Sequence, residues 1–241
     1  MLPDWDEDER LRGERDTLGL YLTGHPVTRY AADLRHVVTA PLGELADESP
    51  PESNGERGYG YMAASRNVVA AGLIVDLRKR GGRVSLVLDD RSGRLEVTLF
   101  EDAFKRFRTL AVKDRVVVVE GRLAFDEFIS GWRITVKNMY GVDELRERYV
   151  RRLDIEWTPG AGEDFANRLK EALKPHLGGR CSVWVRYRGA GASVPMCLGE
   201  AWRVHPTEIL TRRLETWLGA KSITLHYGSH PLDPTHEAVS A

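Results

Sequence analysis

Cysteine is scarce in this chain, glutamine is missing, and no long apolar run occurs. The 241 residues include only Cys181 and Cys197. Two cysteines cannot build a disulfide framework or a zinc site, so both are expected to be reduced thiols within a core. No apolar stretch approaches the roughly 18–20 residues that a membrane-spanning helix needs. The first residues, Met1-Leu2-Pro3-Asp4-Trp5-Asp6-Glu7-Asp8-Glu9, are acidic and lack a secretory-leader pattern. Together these two absences lead us to expect a cytoplasmic protein. Lysine is also sparse, at seven residues, so nearly all positive charge is arginine, which favours bidentate phosphate contact and stacking on bases.

What is present suffices for about two domains, with 42% hydrophobic residues to fill their cores. The net charge of −1 hides a segregation. Residues 1–66 hold 7 basic and 13 acidic side chains, residues 67–142 hold 14 and 10, and residues 143–241 hold 14 and 13. A whole-chain charge argument for nucleic acid fails. A local one survives for 67–142, because counterion release depends on the cations that touch phosphate.

Alternation predicts five strands within 67–139. Val69, Ala71, Leu73, Val75 and Leu77 mark the first strand; Val84, Leu86 and Leu88 mark the second. Leu95, Val97 and Leu99 mark the third. Phe104 and Phe107, three apart, suit a short helix before the β-branched run from Val116 and a fifth strand with Trp132, Ile134 and Val136. Five strands with a helix between the third and fourth is the element order of an oligonucleotide-binding (OB) barrel, which binds nucleic acid with one face and two loops. A generic antiparallel domain without a ligand is the plainer alternative.

The chain is expected to run as a short helical segment over 1–40, a linker over 41–66, the all-β OB domain over 67–142, an α+β domain over 143–228 and a tail over 229–241. The helical segment should comprise one helix near 6–23, with Leu11, Leu18 and Leu22 on one side, and a second with Val27, Tyr30, Ala31 and Leu34. Pro and Gly between 41 and 60 give the linker. After the barrel, the order β-α-β-β-α-β suggests a ferredoxin-like or related two-layer domain.

Several segments resemble a known family. Leu18-Gly19-Leu20-Tyr21-Leu22-Thr23-Gly24-His25-Pro26 resembles the segment leading into the barrel of bacterial DNA polymerase III alpha subunits. Leu88-Asp89-Asp90-Arg91-Ser92-Gly93-Arg94-Leu95-Glu96-Val97, with Leu99-Phe100, resembles that barrel's second-to-third-strand hairpin. Asn167-Arg168-Leu169, Pro175-His176 and Trp202-Arg203-Val204 before Pro206 are similar to its C-terminal domain. The resemblance implies single-stranded template handling by the barrel, docking of the last domain on the clamp-loader tau subunit, and the wider polymerase III holoenzyme as context. An error-prone paralogue typically lacks the last domain, so residues 151–228 favour the replicative member. The family's internal clamp motif begins with glutamine and is therefore absent, and its catalytic carboxylates have no counterpart. The parent is then a DNA-directed DNA polymerase whose chemistry lies outside this chain, with Met1 an internal position or the start of a split or truncated reading frame. No cofactor is expected here, and Mg2+ only for the polymerase domain.

For nucleic acid, the expected contacts are Arg78, Lys79, Arg80 and Arg83 in the loop joining strands one and two. Phe125, Phe128 and Trp132, with Arg133, frame the loop joining strands four and five. Cations track phosphates and aromatic faces stack on bases. Trp132 and Phe100 also suit a barrel core. Trp184, Arg186 and Arg188 lie opposite Val183, Val185 and Tyr187 and form either a partner surface or a face packed on a helix. Asp89-Asp90 reads as turn chemistry rather than a metal pair. His226, His230 and His236 cannot align on a helix through Pro231 and Pro234, and Gly189–Gly191 lacks the context of a dinucleotide loop. No catalytic or metal-ligating residue is expected. An RNA- or protein-binding barrel outside replication is the rival reading.

Overall fold

The computed structural model describes residues 7–18, 21–49, 65–127, 129–158, 164–189 and 192–228. The chain divides into two compact units, Met1–Val142 and Asp143–Ala241. The first opens with α1 (Glu7–Leu18), a 3-10 turn at Thr28–Tyr30, α2 (Ala31–Leu34) and α3 (Leu42–Ala46). α1 is shorter than its leucine spacing predicts. Leu18 and Leu22 are exposed, and Glu14 receives the Leu22 and Thr23 N–H groups at 2.7 and 3.1 Å in place of a further helical turn.

Five strands then close a barrel: β1 (Arg66–Arg80), β2 (Arg83–Asp89), β3 (Arg94–Phe100), β4 (Val116–Asp126) and β5 (Gly131–Gly141), in the order β1-β2-β3-β5-β4. Only the β3–β5 pair is parallel. β1 is long because it serves two partners. Its first half pairs with β4, its second with β2, and a bulge between Ile74 and Asp76 bends it from one to the other. The alternating residues predicted to point inward do so: Leu86, Leu88, Val97, Leu99, Val119, Leu123 and Ile134 are fully buried in one core. Each such side chain contributes roughly 1.5–3 kcal/mol of apolar burial. α4 (Glu101–Phe107) sits between β3 and β4 and adds Phe107 to that core.

Residues 41–49 do not act as a linker. Leu42 and Leu45, three apart on α3, are buried in the barrel core. The β2–β3 turn holds α3 in place: Leu42 N–H donates to Asp90 Oδ2 at 2.9 Å and Gly43 N–H to Ser92 Oγ at 2.9 Å. The backbones of Gly43 and Gly93 touch so closely that a Cβ on Gly93 would lie 2.6 Å from Gly43 Cα. The rest of the expected linker, 50–64, lies outside the described residues, as does the expected tail from 229.

The second unit comprises α5 (Val142–Tyr149), β6 (Val150–Trp157), α6 (Phe165–Leu173), β7 (Leu177–Gly189), β8 (Ala192–Cys197), α7 (Glu208–Leu218) and β9 (Ile223–Tyr227). The β-α-β-β-α-β order is as expected, and the sheet runs β8-β7-β6-β9. The parallel strands β6 and β7 are direct neighbours, whereas a split ferredoxin-like sheet places a strand between them. The domain is thus the related arrangement. Phe165, Leu169, Leu210 and Leu214 from the helices meet Leu153, Ile155, Val183 and Val185 in one core, so α6 and α7 cover the same sheet face. Thr207 caps α7, its side chain accepting from Leu210 N–H.

The two thiols differ. Cys181 is buried in this core, and burial pushes its pKa up to about 12. Cys197 is exposed on β8, against the expectation of a core position, and pairs across strands with Trp184 rather than with Cys181. A native-state thiol titration should therefore modify Cys197 alone, with Cys181 reacting only on unfolding. Equal rates at both would contradict this packing.

Candidate nucleic-acid interface

The register of the barrel decides which expected contacts face solvent. Gly81 and Gly82 take φ of 54° and 77° and make a tight turn between β1 and β2. Arg80 pairs with Arg83, and Arg83 with Phe100 on β3, so the three share one outward corner. The Arg83 guanidinium lies 5.2 Å from the Phe100 ring centroid, and Phe100 is 47% exposed. Alternation with buried Leu95, Val97 and Leu99 sends Phe100 outward, which settles whether it belongs to core or surface. Lys79 points to the other side of the hairpin, over the Phe104 ring at 4.6 Å. Arg78 is exposed and bridges Asp76 at 2.8 Å.

The second expected cluster is not brought to this corner. β5 runs parallel to β3 with Arg133 beside Glu96, so the β4–β5 loop stands at the start of β3 and the β1–β2 turn at its end. Trp132 is 7% exposed, packs edge-on against Phe125 at 5.6 Å, and donates its indole N–H to the Glu48 carbonyl at 2.8 Å. It is a core residue and offers no face to a base. Arg133 is held by Asp126 at 2.7 Å and Glu96 at 3.0 Å, so its charge is already neutralised. Phe125 is partly buried against the same core. Phe128 lies outside the described residues.

Asp89 and Asp90 serve turn chemistry. Asp90 Oδ1 accepts from Ser92 N–H at 2.9 Å, and Asp89 accepts from Arg91 N–H at 2.9 Å. Asp89 also bridges Arg94 at 2.8 Å and His25 at 3.4 Å. The Leu18–Pro26 segment and the β2–β3 hairpin, far apart in sequence, are therefore joined. Burial pushes the His25 pKa down, the effect of Asp89 being too small to offset it.

In the second unit, Trp184, Arg186 and Arg188 lie on the sheet face opposite the helices. They are engaged in a charge network. Arg152 sits over the Trp184 ring at 4.1 Å and bonds Asp154 at 2.8 Å. Arg186 approaches Asp154 at 3.7 Å, His226 at 3.3 Å, and Arg188 bridges Glu156 at 2.6 Å. His226 thus belongs to this face, while His230 and His236 lie outside the described residues. Burial raises the Asp154 pKa, but the hydrogen bond and charge of Arg152, with His226, outweigh it and hold the carboxyl below its ordinary value. A carboxyl with a depressed folded-state pKa stabilises above its unfolded value and loses that contribution as pH falls through the folded one. Acid unfolding of the second unit should therefore lose part of its pH dependence below about pH 4 in Asp154→Asn; an unchanged acid limb would show that the network contributes nothing.

A closed five-stranded barrel of this topology with an arginine-bearing strand turn defines an OB-fold nucleic-acid-binding domain. Residues 68–140 match the family model described as OB-fold nucleic acid binding domain. Residues 168–219 match the model for the DNA polymerase III subunit alpha C-terminal domain. The chain is 39% identical over 229 residues to DNA polymerase III subunit alpha of Escherichia coli K12, covering 92% of this chain and 19% of that protein. It is 35% identical over 233 residues to the Vibrio cholerae subunit, covering 94% and 19%. The chain belongs to the DNA polymerase III alpha subunit family and spans about 19% of the length of these curated relatives. Among solved structures, an OBody bound to hen egg-white lysozyme covers 31% of this chain at 25% identity, with a TM-score of 0.28.

Among the described residues no helix is long and apolar enough to cross a membrane, and no cluster of three His, Cys, Asp or Glu side chains is placed to hold a metal.

Proposed function

We propose that the barrel binds single-stranded template DNA and that the second unit docks on the clamp-loader tau subunit, within a polymerase whose Mg2+-dependent chemistry lies outside this chain. The observation that carries the first half is the corner formed by Arg80, Arg83 and Phe100. It places two cations and an exposed ring on adjacent strands, at the edge of the face that OB barrels use for ligands. The cations take phosphates and the ring takes a base, a combination that binds single strands without strong sequence preference. Trp132 and Arg133 are left out of the contact set because of their burial and ion pairing. Docking on tau is supported by family membership and by a sheet face, bearing Trp184, Arg186 and Arg188, that neither α6 nor α7 covers.

Titration of a labelled oligo(dT) with the chain at several salt concentrations tests the first half. The expected affinity is roughly micromolar or weaker and falls steeply with salt. Binding that ignores salt, or a preference for folded RNA over the oligomer, would overturn it. For the second half, the chain should retain tau in a pull-down, and Arg186→Glu should reduce the yield. Retention of tau by neither chain would remove that partner.

A further inference from the structure

We propose that a cleft beside the barrel, lined by the Leu18–Pro26 segment, binds a further nucleotide of the same single strand. The inference rests on the reading of the barrel as a single-strand binder and extends its path. The cleft holds about 500 Å³ and opens between α1, the loop at Tyr21 and His25, the β1 bulge and the end of β2. That volume lies within the range of small-ligand sites, about 300–1,000 Å³.

Its chemistry suits a nucleotide. Leu73, Val75 and Val87 give an apolar floor, and Tyr21 and His25 stand at the wall with ring centroids 6.1 Å apart. Three aspartates reach the cleft, and each is matched by an arginine: Asp114 by Arg15 at 2.8 Å, Asp89 by Arg94 at 2.8 Å and Asp76 by Arg78 at 2.8 Å. Their charges therefore do not repel a phosphate. Lys113 lines the same cleft, is exposed, and has no carboxylate partner among the described residues, so it supplies the surplus positive charge.

The position also fits. Val87 and Ser85 share the outward side of β2 with Arg83, and Ser85 pairs with Arg78. The route from Arg83 to the cleft follows β2, a seven-residue strand about 20 Å long. Arg78, which looks from the sequence like part of the turn cluster, is where the two sites meet. A strand held at Arg80, Arg83 and Phe100 can run along β2, place a base against Tyr21 and the apolar floor, and set a phosphate by Lys113.

Oligo(dT) of increasing length, titrated against the full chain, tests this. Affinity should rise in a distinct step when the oligomer becomes long enough to span β2. That step should be about fivefold or more, the size of one stacked base. The double variant Tyr21→Ala, Lys113→Ala should lose the step while binding the shortest oligomers as the wild type does. Tyr21→Phe, which keeps the ring, should retain it, and equal unfolding midpoints exclude a folding defect as the cause of the loss. A double variant that keeps the full step overturns the cleft and leaves the barrel reading standing. Absence of binding at every length in the wild type overturns both.

Discussion

Replacing Arg80, Arg83 and Phe100 together with alanine should lower the affinity for oligo(dT) at least tenfold at low salt. Each part of that loss has a separate signature. An exposed ring stacked on a base is worth about 1–3 kcal/mol, and its removal lowers affinity at every salt concentration. Each arginine on a phosphate contributes about 0.7 to the slope of log affinity against log salt for single strands, so removing two should flatten it by about 1.4. Phe100→Ala alone should keep the slope and lose affinity; Arg80→Ala with Arg83→Ala should do the reverse in emphasis. The cation–π contact matters here, because Arg83 rests over Phe100 and a base must share that ring with it. Because the two groups touch, the single losses should not sum to the triple loss. Lys79→Ala should have a smaller effect, as its ammonium lies over Phe104 on the other side of the hairpin.

Trp132→Ala should destabilise the barrel unit by about 3–5 kcal/mol, the usual cost of emptying a large aromatic site in a core. The loss removes the packing against Phe125 and also the hydrogen bond to the Glu48 carbonyl, which ties residues 41–49 to the barrel. Phe100→Ala, by contrast, should leave the unfolding midpoint nearly unchanged, within about 0.5 kcal/mol, because its ring is half in solvent. Chemical denaturation of the two variants side by side separates core from binding surface. A Trp132 variant as stable as the wild type would mean that the ring does not fill the core.

The contrast between these two aromatics shows what the sequence can say. The barrel is legible because its strands alternate: Val84, Leu86 and Leu88 or Leu95, Val97 and Leu99 state which face is buried, and the DDRSG turn states where the chain reverses. The same alternation already held the answer for both aromatics. Phe100 is out of step with Leu99, and Trp132 is in step with Ile134. Their use as binding residues was harder to read, since a large aromatic serves either role and only pairing across strands shows what stands beside it. Arg133 carries no local mark of its two carboxylate partners, because Glu96 is a neighbour only through the β3–β5 pairing.

The plug at Leu42 and Leu45 was hidden for a different reason. Proline and glycine around α3 resemble a linker, and the two leucines offer only a single helical turn. Their burial depends on a turn nearly fifty residues later, where Asp90 and Ser92 receive the α3 N–H groups. The same hairpin holds His25 through Asp89, so the two segments most characteristic of the family meet in space. In the second unit the helix and strand pattern was readable, but the adjacency of β6 and β7 was not: the order of elements along the chain leaves the order of strands in the sheet open.

Photocrosslinking tests the central claim most directly. An oligo(dT) carrying one photoreactive thymine, irradiated with the full chain and mapped by peptide mass, should attach to the β1–β2 turn at 80–83 and to the peptide bearing Phe100. Crosslinks that fall only on the second unit, or that persist unchanged when Arg80, Arg83 and Phe100 are replaced, would contradict a barrel that holds an unpaired strand at that corner.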